Sequence, residues 1–296
     1  MTVNRGVLFL NARAGSFTPA DESALRTEAA EQGLRVLDVG PGLDVYSTIR
    51  ESIAAGLKTF VVAGGDGSIH HVLQALVHTD ATLGIIPIGS VNHFARDLQI
   101  PLDDWRKALE IAVKGEVLQI DTARVNGRYF LNSVMLGIYP TISHYRERFR
   151  STHSKWRAYL RALRLALRQF PHVTLVIELN GRVETISTQM FVVSVNAYDL
   201  GQAGIASPKT NLDDGRLSVY SLSFMGRWQF TRAAAKFFRG RILDVPGFRR
   251  VRTTELRIDG ARHSMRLSVD GELMDLRPPL QIAAVPASLL VRAPVA

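Results

Sequence analysis

TFVVAGGDGSIHH, residues 59–71, is the stretch whose reading decides the fold. Phe60-Val61-Val62-Ala63 is a short apolar run that reads as a buried strand. It leads straight into Gly64-Gly65-Asp66-Gly67-Ser68, after which Ile69, Val72, Leu73, Leu76 and Val77 recur at helical spacing. A strand that turns through glycines into a helix gathers backbone N–H groups and a helix N-terminus at one point, which suits phosphate oxygens. The three glycines also let a ligand approach the main chain. An aspartate in such a cradle repels bare phosphate, so Asp66 reads as a partner of Mg²⁺ or of a proton in transit. The same residues also read as a plain strand-to-helix turn capped by Ser68, and this stretch alone leaves both readings open.

Working outward, residues 6–10 (GVLFL), 34–39 (LRVLDV) and 84–88 (GIIPI) read as further strands, with helices at 21–32, 44–56 and 93–98. Alternating strands and helices predict a doubly wound parallel sheet. Ligands on such sheets bind beyond the carboxyl ends of the strands. The loops at 11–15, 64–68 and 89–92 all follow strands, so they are expected to gather along that edge. Asn11 and Asn92 become candidate ligand contacts, the alternative for each being an ordinary turn residue. GxxxxGK[ST] and GxGxxG patterns are absent, which removes support for P-loop and dinucleotide-binding readings.

The 296 residues suit two compact domains, and 46% apolar content supplies a core. With no cysteine the chain has no disulfide, thiolate metal site or cysteine nucleophile, which fits a reducing compartment such as the cytoplasm. The opening MTVNRGVLFLNARAG has too short an apolar run for a signal peptide and reads as a first strand. No stretch approaches the roughly 18–20 apolar residues of a membrane span. The net charge of +9 divides into −5 over residues 1–122 and +14 over residues 123–296. A basic second half calls for an anionic partner: a membrane, a nucleic acid or an acidic metabolite.

From residue 120 the pattern changes to alternation. Asn126-Gly127 and Asn180-Gly181 each separate two strand-like runs and predict hairpins. Further strands are expected at 190–196, 217–222, 255–259, 264–269 and 280–285, giving an antiparallel sandwich or open barrel. Two helical segments interrupt them. In 154–170, Trp156, Leu160, Leu163, Leu167 and Phe170 share a face beside Arg157, Arg161, Arg164 and Arg168. In 225–241, Trp228, Phe230, Phe237 and Phe238 are interleaved with Arg227, Arg232, Lys236, Arg239 and Arg241. Basic amphipathic helices with aromatic edges suit an anionic bilayer surface; solvated arginines on a helix packed against the sandwich are the other reading. No nucleic acid partner is expected, because no strand platform of aromatic residues or recognition motif accompanies them. Two acidic turns remain. Asn211-Leu212-Asp213-Asp214-Gly215-Arg216 offers oxygen ligands to a hard cation, or is an Asp-Gly turn. Asp270-Gly271-Glu272 offers carboxylates able to accept a proton, or is a hairpin turn.

GGDGS at 64–68 followed by PIGSVNHFARDLQIP at 87–101 resembles the diacylglycerol kinase catalytic family, whose bacterial lipid kinases and sphingosine and ceramide kinases share the pattern. The usual forms are GGDGT and P-x-GT-x-NDFA-R; the first is shared with NAD kinases, the second is far more specific. The resemblance implies an NAD kinase/diacylglycerol kinase-like α/β domain over 1–122 and a β-sandwich lipid-substrate domain over 123–286, with residues 287–296 left open to rejoin the first. It implies ATP phosphates on Gly64, Gly65, Asp66, Gly67 and Ser68, with Gly89, Ser90 and Asn92 forming the second loop. Ser90 would be a further nucleotide contact, and Asn11 and Gly15 match the family's N-terminal nucleotide-binding turn. Asp214 would give a metal a side-chain oxygen, with backbone carbonyls from Asn211 and Arg216. Glu272 would be the general base, Asp270 the second choice, and Asp66 would aid Mg²⁺ or the reacting phosphoryl group.

The sequence departs from the pattern at several points. Ser68 and Ser90 stand for threonines but keep the hydroxyl. His70-His71 replace a frequent Asn-Glu. His93 replaces the aspartate of NDFA, whose usual neighbours would be Arg96 and Asp121. The expectation is an ATP- and Mg²⁺-dependent kinase that phosphorylates a hydroxyl of a membrane lipid, cytoplasmic and peripheral at the inner face of an anionic membrane. An NAD kinase-like phosphotransferase and a catalytically inactive lipid-binding protein are the alternatives.

Overall fold

The structure is a computed structural model that describes residues 5–12, 17–150, 157, 161, 164–165, 168, 172–200, 209–223, 226–239, 241–260 and 263–295. The side chains of 146–150 and of 227, 230, 231, 234, 237 and 238 are excepted. The chain divides into two compact units. Unit 1 is Met1–Thr122 with Val285–Ala296, and unit 2 is Ala123–Ala284.

Unit 1 alternates strand and helix: β1 (Gly6–Leu10), α1 (Pro19–Glu31), β2 (Leu34–Asp38), α2 (Val45–Ala54), β3 (Thr59–Gly64), α3 (Asp66–Leu76), β4 (Thr82–Pro87), α4 (His93–Asp97) and α5 (Trp105–Lys114). The strands pair in the order β2-β1-β3-β4, all parallel. Every residue of β1 and β4, and all of β3 after Thr59, is buried. This is what a parallel sheet covered on both faces requires. The end of the chain returns to this sheet: Leu290 and Val291 of a long last strand lie parallel to Thr82 and Leu83. The helices start where the sequence supplies an acceptor for their first amides. Thr18 takes the Asp21 N–H on α1, Asp44 the Ser47 N–H on α2 and Asp104 the Lys107 N–H on α5. Helix α5 was not among the expected helices. It buries Ala108, Leu109, Ile111 and Ala112, and it can approach β4 because Gly84 has no side chain. A Cβ there would lie 2.6 Å from the Ala112 Cβ.

Unit 2 is antiparallel. Its strands are the end of β5 (Glu116–Val125), β6 (Arg128–Phe130), β7 (Ser133–Gly137), β8 (Val173–Leu179), β9 (Arg182–Thr188), β10 (Met190–Val195) and β11 (Leu217–Leu222). They continue with β12 (Phe248–Thr253), β13 (Glu255–Asp259), β14 (Met265–Val269), β15 (Glu272–Leu276) and the start of β16 (Leu280–Ala293). One layer runs β12-β11-β10-β7-β14-β15; in the other, β16, β13, β8 and β9 pair in turn. Alternate residues of both layers point into one core. Val134, Phe191, Val193, Val219 and Leu267 from the first meet Leu175, Ile177, Ile258 and Ile282 from the second. Asn126-Gly127, Asn180-Gly181 and Asp270-Gly271 all have two successive positive φ angles (46° and 85°, 51° and 74°, 48° and 92°), the geometry of a tight type I′ hairpin. Strands β7, β12 and β15 were not expected.

Helix α6 (Ile138–Arg150) follows β7, and α7 (Arg227–Phe238) lies on the outer face of the first layer. There Ala233 of α7 joins Leu222, Ile242 and Val245 in a small second cluster, with Met190 and Phe248 packed against it. The expected helix at 154–170 lies mostly outside the described residues; Arg157, Arg161, Arg164 and Arg168 are helical and exposed. Phe230, Phe237 and Phe238 likewise lie outside the described side chains. No helix among the described residues is long and apolar enough to cross a membrane.

Overpacking the α5–β4 contact is expected to cost about 1–3 kcal/mol. Gly84→Ala should therefore lower the urea midpoint of unfolding, whereas Gly40→Ala, whose Cβ would meet nothing within 4 Å, should leave it nearly unchanged.

Candidate active site

The three loops foreseen at the strand ends of unit 1 do meet. The Asn11 side-chain amide donates to the Ser68 hydroxyl at 3.0 Å, joining the first loop to the second. The second and third loops approach closely at two glycines: a Cβ added at Gly89 would lie 2.5 Å from the Gly65 Cα and 2.6 Å from Asn92 Oδ1. Gly64 is equally constrained, since a Cβ there would sit 2.6 Å from the Ser68 hydroxyl oxygen. Gly15 lies outside the described residues.

Asp66 has a role that local reading did not supply. Its two carboxylate oxygens accept the backbone N–H groups of His93 and Phe94, both at 3.2 Å. Helix α4 has no cap of its own, because Asn92 is held in the left-handed region at φ 55° and makes no side-chain cap bond. Asp66 therefore caps a helix 27 residues away and fixes the third loop to the second. Helix α3 also starts without a side-chain cap, at Gly65. Ser68, read as a possible cap, instead accepts from Asn11. Asn92 donates to Gly89 O at 2.9 Å, while its Oδ1 is buried with no partner among the described residues. A buried amide oxygen without a donor is costly, so this atom is set up to receive one from a ligand or water.

The histidines diverge. His70 is buried on α3, His71 is exposed, and His93 is half-buried at the start of α4. Arg96 donates to Val91 O at 3.1 Å, and buried Asp121 accepts the Ala287 N–H at 2.9 Å.

In unit 2 the Asp270-Gly271-Glu272 stretch is the β14–β15 hairpin turn, and its two acids do different things. The Asp270 carboxylate accepts the N–H groups of Leu131, Asn132 and Ser133 at 2.8, 2.8 and 3.0 Å, clamping the turn between β6 and β7. The same turn is held from its other side, where the Lys209 ammonium donates to Leu131 O and the Tyr198 hydroxyl to Asn132 Oδ1, both at 2.6 Å. Glu272 opens β15, its carboxylate 3.8 Å from the Arg128 guanidinium and its side chain 32% exposed. Next to Val195, whose N–H donates to Asn132 O, Asn196 is buried with both side-chain polar atoms unpartnered among the described residues.

The acidic turn at 211–216 is held by its own residues and by β12. Asp214 accepts the Arg216 N–H at 2.9 Å and pairs with the Arg252 guanidinium. Among the described residues no group of three or more His, Cys, Asp or Glu side chains converges on a point that could hold a metal.

Two family models tile this architecture. The diacylglycerol kinase catalytic domain matches residues 5–125, and the YegS C-terminal NAD kinase beta sandwich-like domain matches residues 132–293. The chain belongs to the diacylglycerol kinase and YegS-like lipid kinase family. Among curated members of this family, the diacylglycerol kinase of Mycobacterium tuberculosis is 27% identical over 272 residues, covering 89% of this chain and 86% of its own. That of Bacillus subtilis (strain 168) is 26% identical over 238 residues, covering 79% and 78%. A Pectobacterium atrosepticum protein named "Probable lipid kinase YegS-like" is 30% identical over 190 residues, 61% of each chain. The fold is shared with the crystal structure of a diacylglycerol kinase from Bacillus anthracis str. Sterne, at TM-score 0.70 and 21% identity over 99% of this chain and 98% of that one.

For a member of this lipid kinase family, the residues that sequence reasoning passed over are Arg128, Asn132, Asn196, Tyr198 and Lys209. Only Arg128 and Asn132 stand near a motif, flanking the first hairpin; the others carry no local pattern. The Asp66 cap and the Gly65–Gly89 contact serve one junction, so their loss should not be additive. Asp66→Ala is expected to cost about 1 kcal/mol of unfolding free energy and Gly89→Ala about 1–3 kcal/mol. In a double-mutant cycle by urea denaturation the pair should lose clearly less than the sum.

Proposed function

We propose that this lipid kinase transfers the γ-phosphoryl group of ATP to a hydroxyl of a membrane lipid, with Mg²⁺ neutralising the phosphates. The observation that carries the nucleotide side is the junction of the three loops in unit 1. Glycines are required at Gly64 and Gly89, α3 presents an uncapped N-terminus, and Asn92 Oδ1 is buried without a donor. Such a surface offers amide donors to phosphate oxygens and an acceptor to a nucleotide N–H or hydroxyl. Ser68 and Ser90 add hydroxyls to the same edge. Gly15 belongs to this set by its place in the family pattern.

Phosphoryl transfer asks the protein mainly for positioning and charge neutralisation. Asp66 meets the first demand by holding the second and third loops together. Each of its oxygens keeps a lone pair for a water of hydrated Mg²⁺, so it is the acid in unit 1 that fits the ion. Asp214, already neutralised by Arg252, fits a structural ion less well; with Asn211 and Arg216 it would bind one only after that pair opened.

The acceptor hydroxyl must lose a proton as its oxygen bonds to phosphorus and the bond to ADP breaks. Glu272 is the group assigned to take it. Asp270 is better placed to fix the neighbouring turn than to accept the proton, since three backbone amides engage its carboxylate. Asn196, with a buried donor and acceptor both open, would hold polar groups at the head of the lipid. Diacylglycerol is the acceptor named for two relatives; a sphingoid base or another hydroxylated lipid fits the same chemistry.

With ATP labelled at the γ-phosphate and a mixed lipid extract, wild type should move label into the organic phase. Glu272→Gln should lower kcat by about 10²- to 10⁴-fold while leaving the KM for ATP little changed. Asp66→Ala should raise that KM as well. Label appearing on NAD instead of lipid would point to the dinucleotide reading, and no transfer to either would refute both kinases.

A further inference from the structure

Helix α7 has a face that the fold leaves outside. At about 100° per residue, Trp228, Arg232 and Ala235 fall within an arc of roughly 60°, which Arg239, in the turn just after the helix, continues, and Ala233 lies about 140° from Trp228. The structure follows this geometry: Ala233 is buried in the small cluster with Leu222, Ile242 and Val245, while all four stripe residues are exposed, Trp228 at 83%. The helix is joined to the single 3₁₀ turn Ile242–Asp244, where the Lys236 ammonium donates to Asp244 O at 2.6 Å and Leu243 is 59% exposed. Phe248 of β12 packs into the same cluster, and strand alternation puts Arg250 on that outer face.

The charge is one-sided. Residues 227–252 carry eight Lys/Arg and one acid, Asp244. Arg249 pairs with Glu184 and Arg252 with Asp214, but Arg232, Arg239 and Arg250 pair with no carboxylate among the described residues. A large indole left in water beside unneutralised guanidinium groups is an unusual surface for a helix that only packs on a sheet. Tryptophan at the headgroup level, a leucine beside it and arginines facing anionic lipid are what an interfacial helix presents.

We propose that the Trp228–Arg232–Ala235–Arg239 stripe of α7, with Leu243 and Arg250, docks the protein on an anionic bilayer. The inference rests on the lipid kinase reading and adds the surface by which the membrane is met. Trp228 enters the headgroup region, and the arginines supply attraction that salt screens.

The test uses the full chain and sedimentation with vesicles of phosphatidylglycerol and phosphatidylcholine, against phosphatidylcholine alone. Wild type should bind the anionic vesicles and be released by salt. Arg232→Gln with Arg239→Gln should weaken binding by about fivefold per arginine, and Trp228→Ala should weaken it further. Bromine-labelled lipid should quench tryptophan emission in wild type but not in Trp228→Phe, which retains Trp105 and Trp156. Phosphorylation of the same lipid extract dispersed in detergent micelles should be unchanged in all these variants, which also shows that they fold. Vesicle binding indifferent to the variants, with micellar activity intact, would overturn the docking surface alone. A wild type inactive on lipid in micelles would overturn both readings. Equal, variant-sensitive binding to a single-stranded oligonucleotide would reassign the stripe to nucleic acid.

Discussion

The carboxylate of Asp66 accepting the amides of His93 and Phe94 is the interaction on which the arrangement of the first unit's loops depends. Without it, α4 would begin with open N–H groups, and the loop carrying Gly89, Ser90 and Asn92 would be tied to the glycine loop after β3 only near its start, where the Ile88 N–H donates to Gly64 O and Gly89 meets Gly65. With it, two segments far apart in sequence form a single surface, closed by the Gly65–Gly89 contact. The acid that looked out of place in a glycine loop is therefore explained by architecture: it joins two loops.

The second unit repeats the device with different partners. Asp270 clamps a turn through three backbone amides, 137 to 139 residues away in sequence, and its neighbour Glu272 is spared that duty. In both units an aspartate at a tight turn orders a distant loop. A carboxylate is suited to this because its two oxygens can satisfy several N–H groups that would otherwise be buried without acceptors.

Much of this was legible locally. The apolar runs of β1, β3 and β4, the helical spacing after Ser68 and the Asn-Gly turns at 126–127 and 180–181 each specify their element from neighbouring residues alone. β12 was not read because three arginines interrupt its alternation: it is an edge strand, where charge is tolerated and discourages further pairing. β15, ELMDL, lacks the β-branched residues that mark strands. Helix α5 did carry a signal, Asp104 followed by apolar residues at helical intervals, that the reading passed over. The candidate site was legible as a set of loops but not as a set of bonds. The partners of Asp66, Asp270 and Lys209, and the Arg252 partner of Asp214, lie 27 residues or more away in sequence, and no pattern along the chain announces them.

The last strand gives the molecule a particular order of assembly. β16 begins in the sandwich, opposite β13, and ends beside β4, where Leu290 and Val291 complete the parallel sheet. During synthesis the β4 edge therefore stays open until residues 290–291, about two hundred residues later, have been made. A first unit without β16 would lack the partner of Thr82 and Leu83 on the buried strand β4.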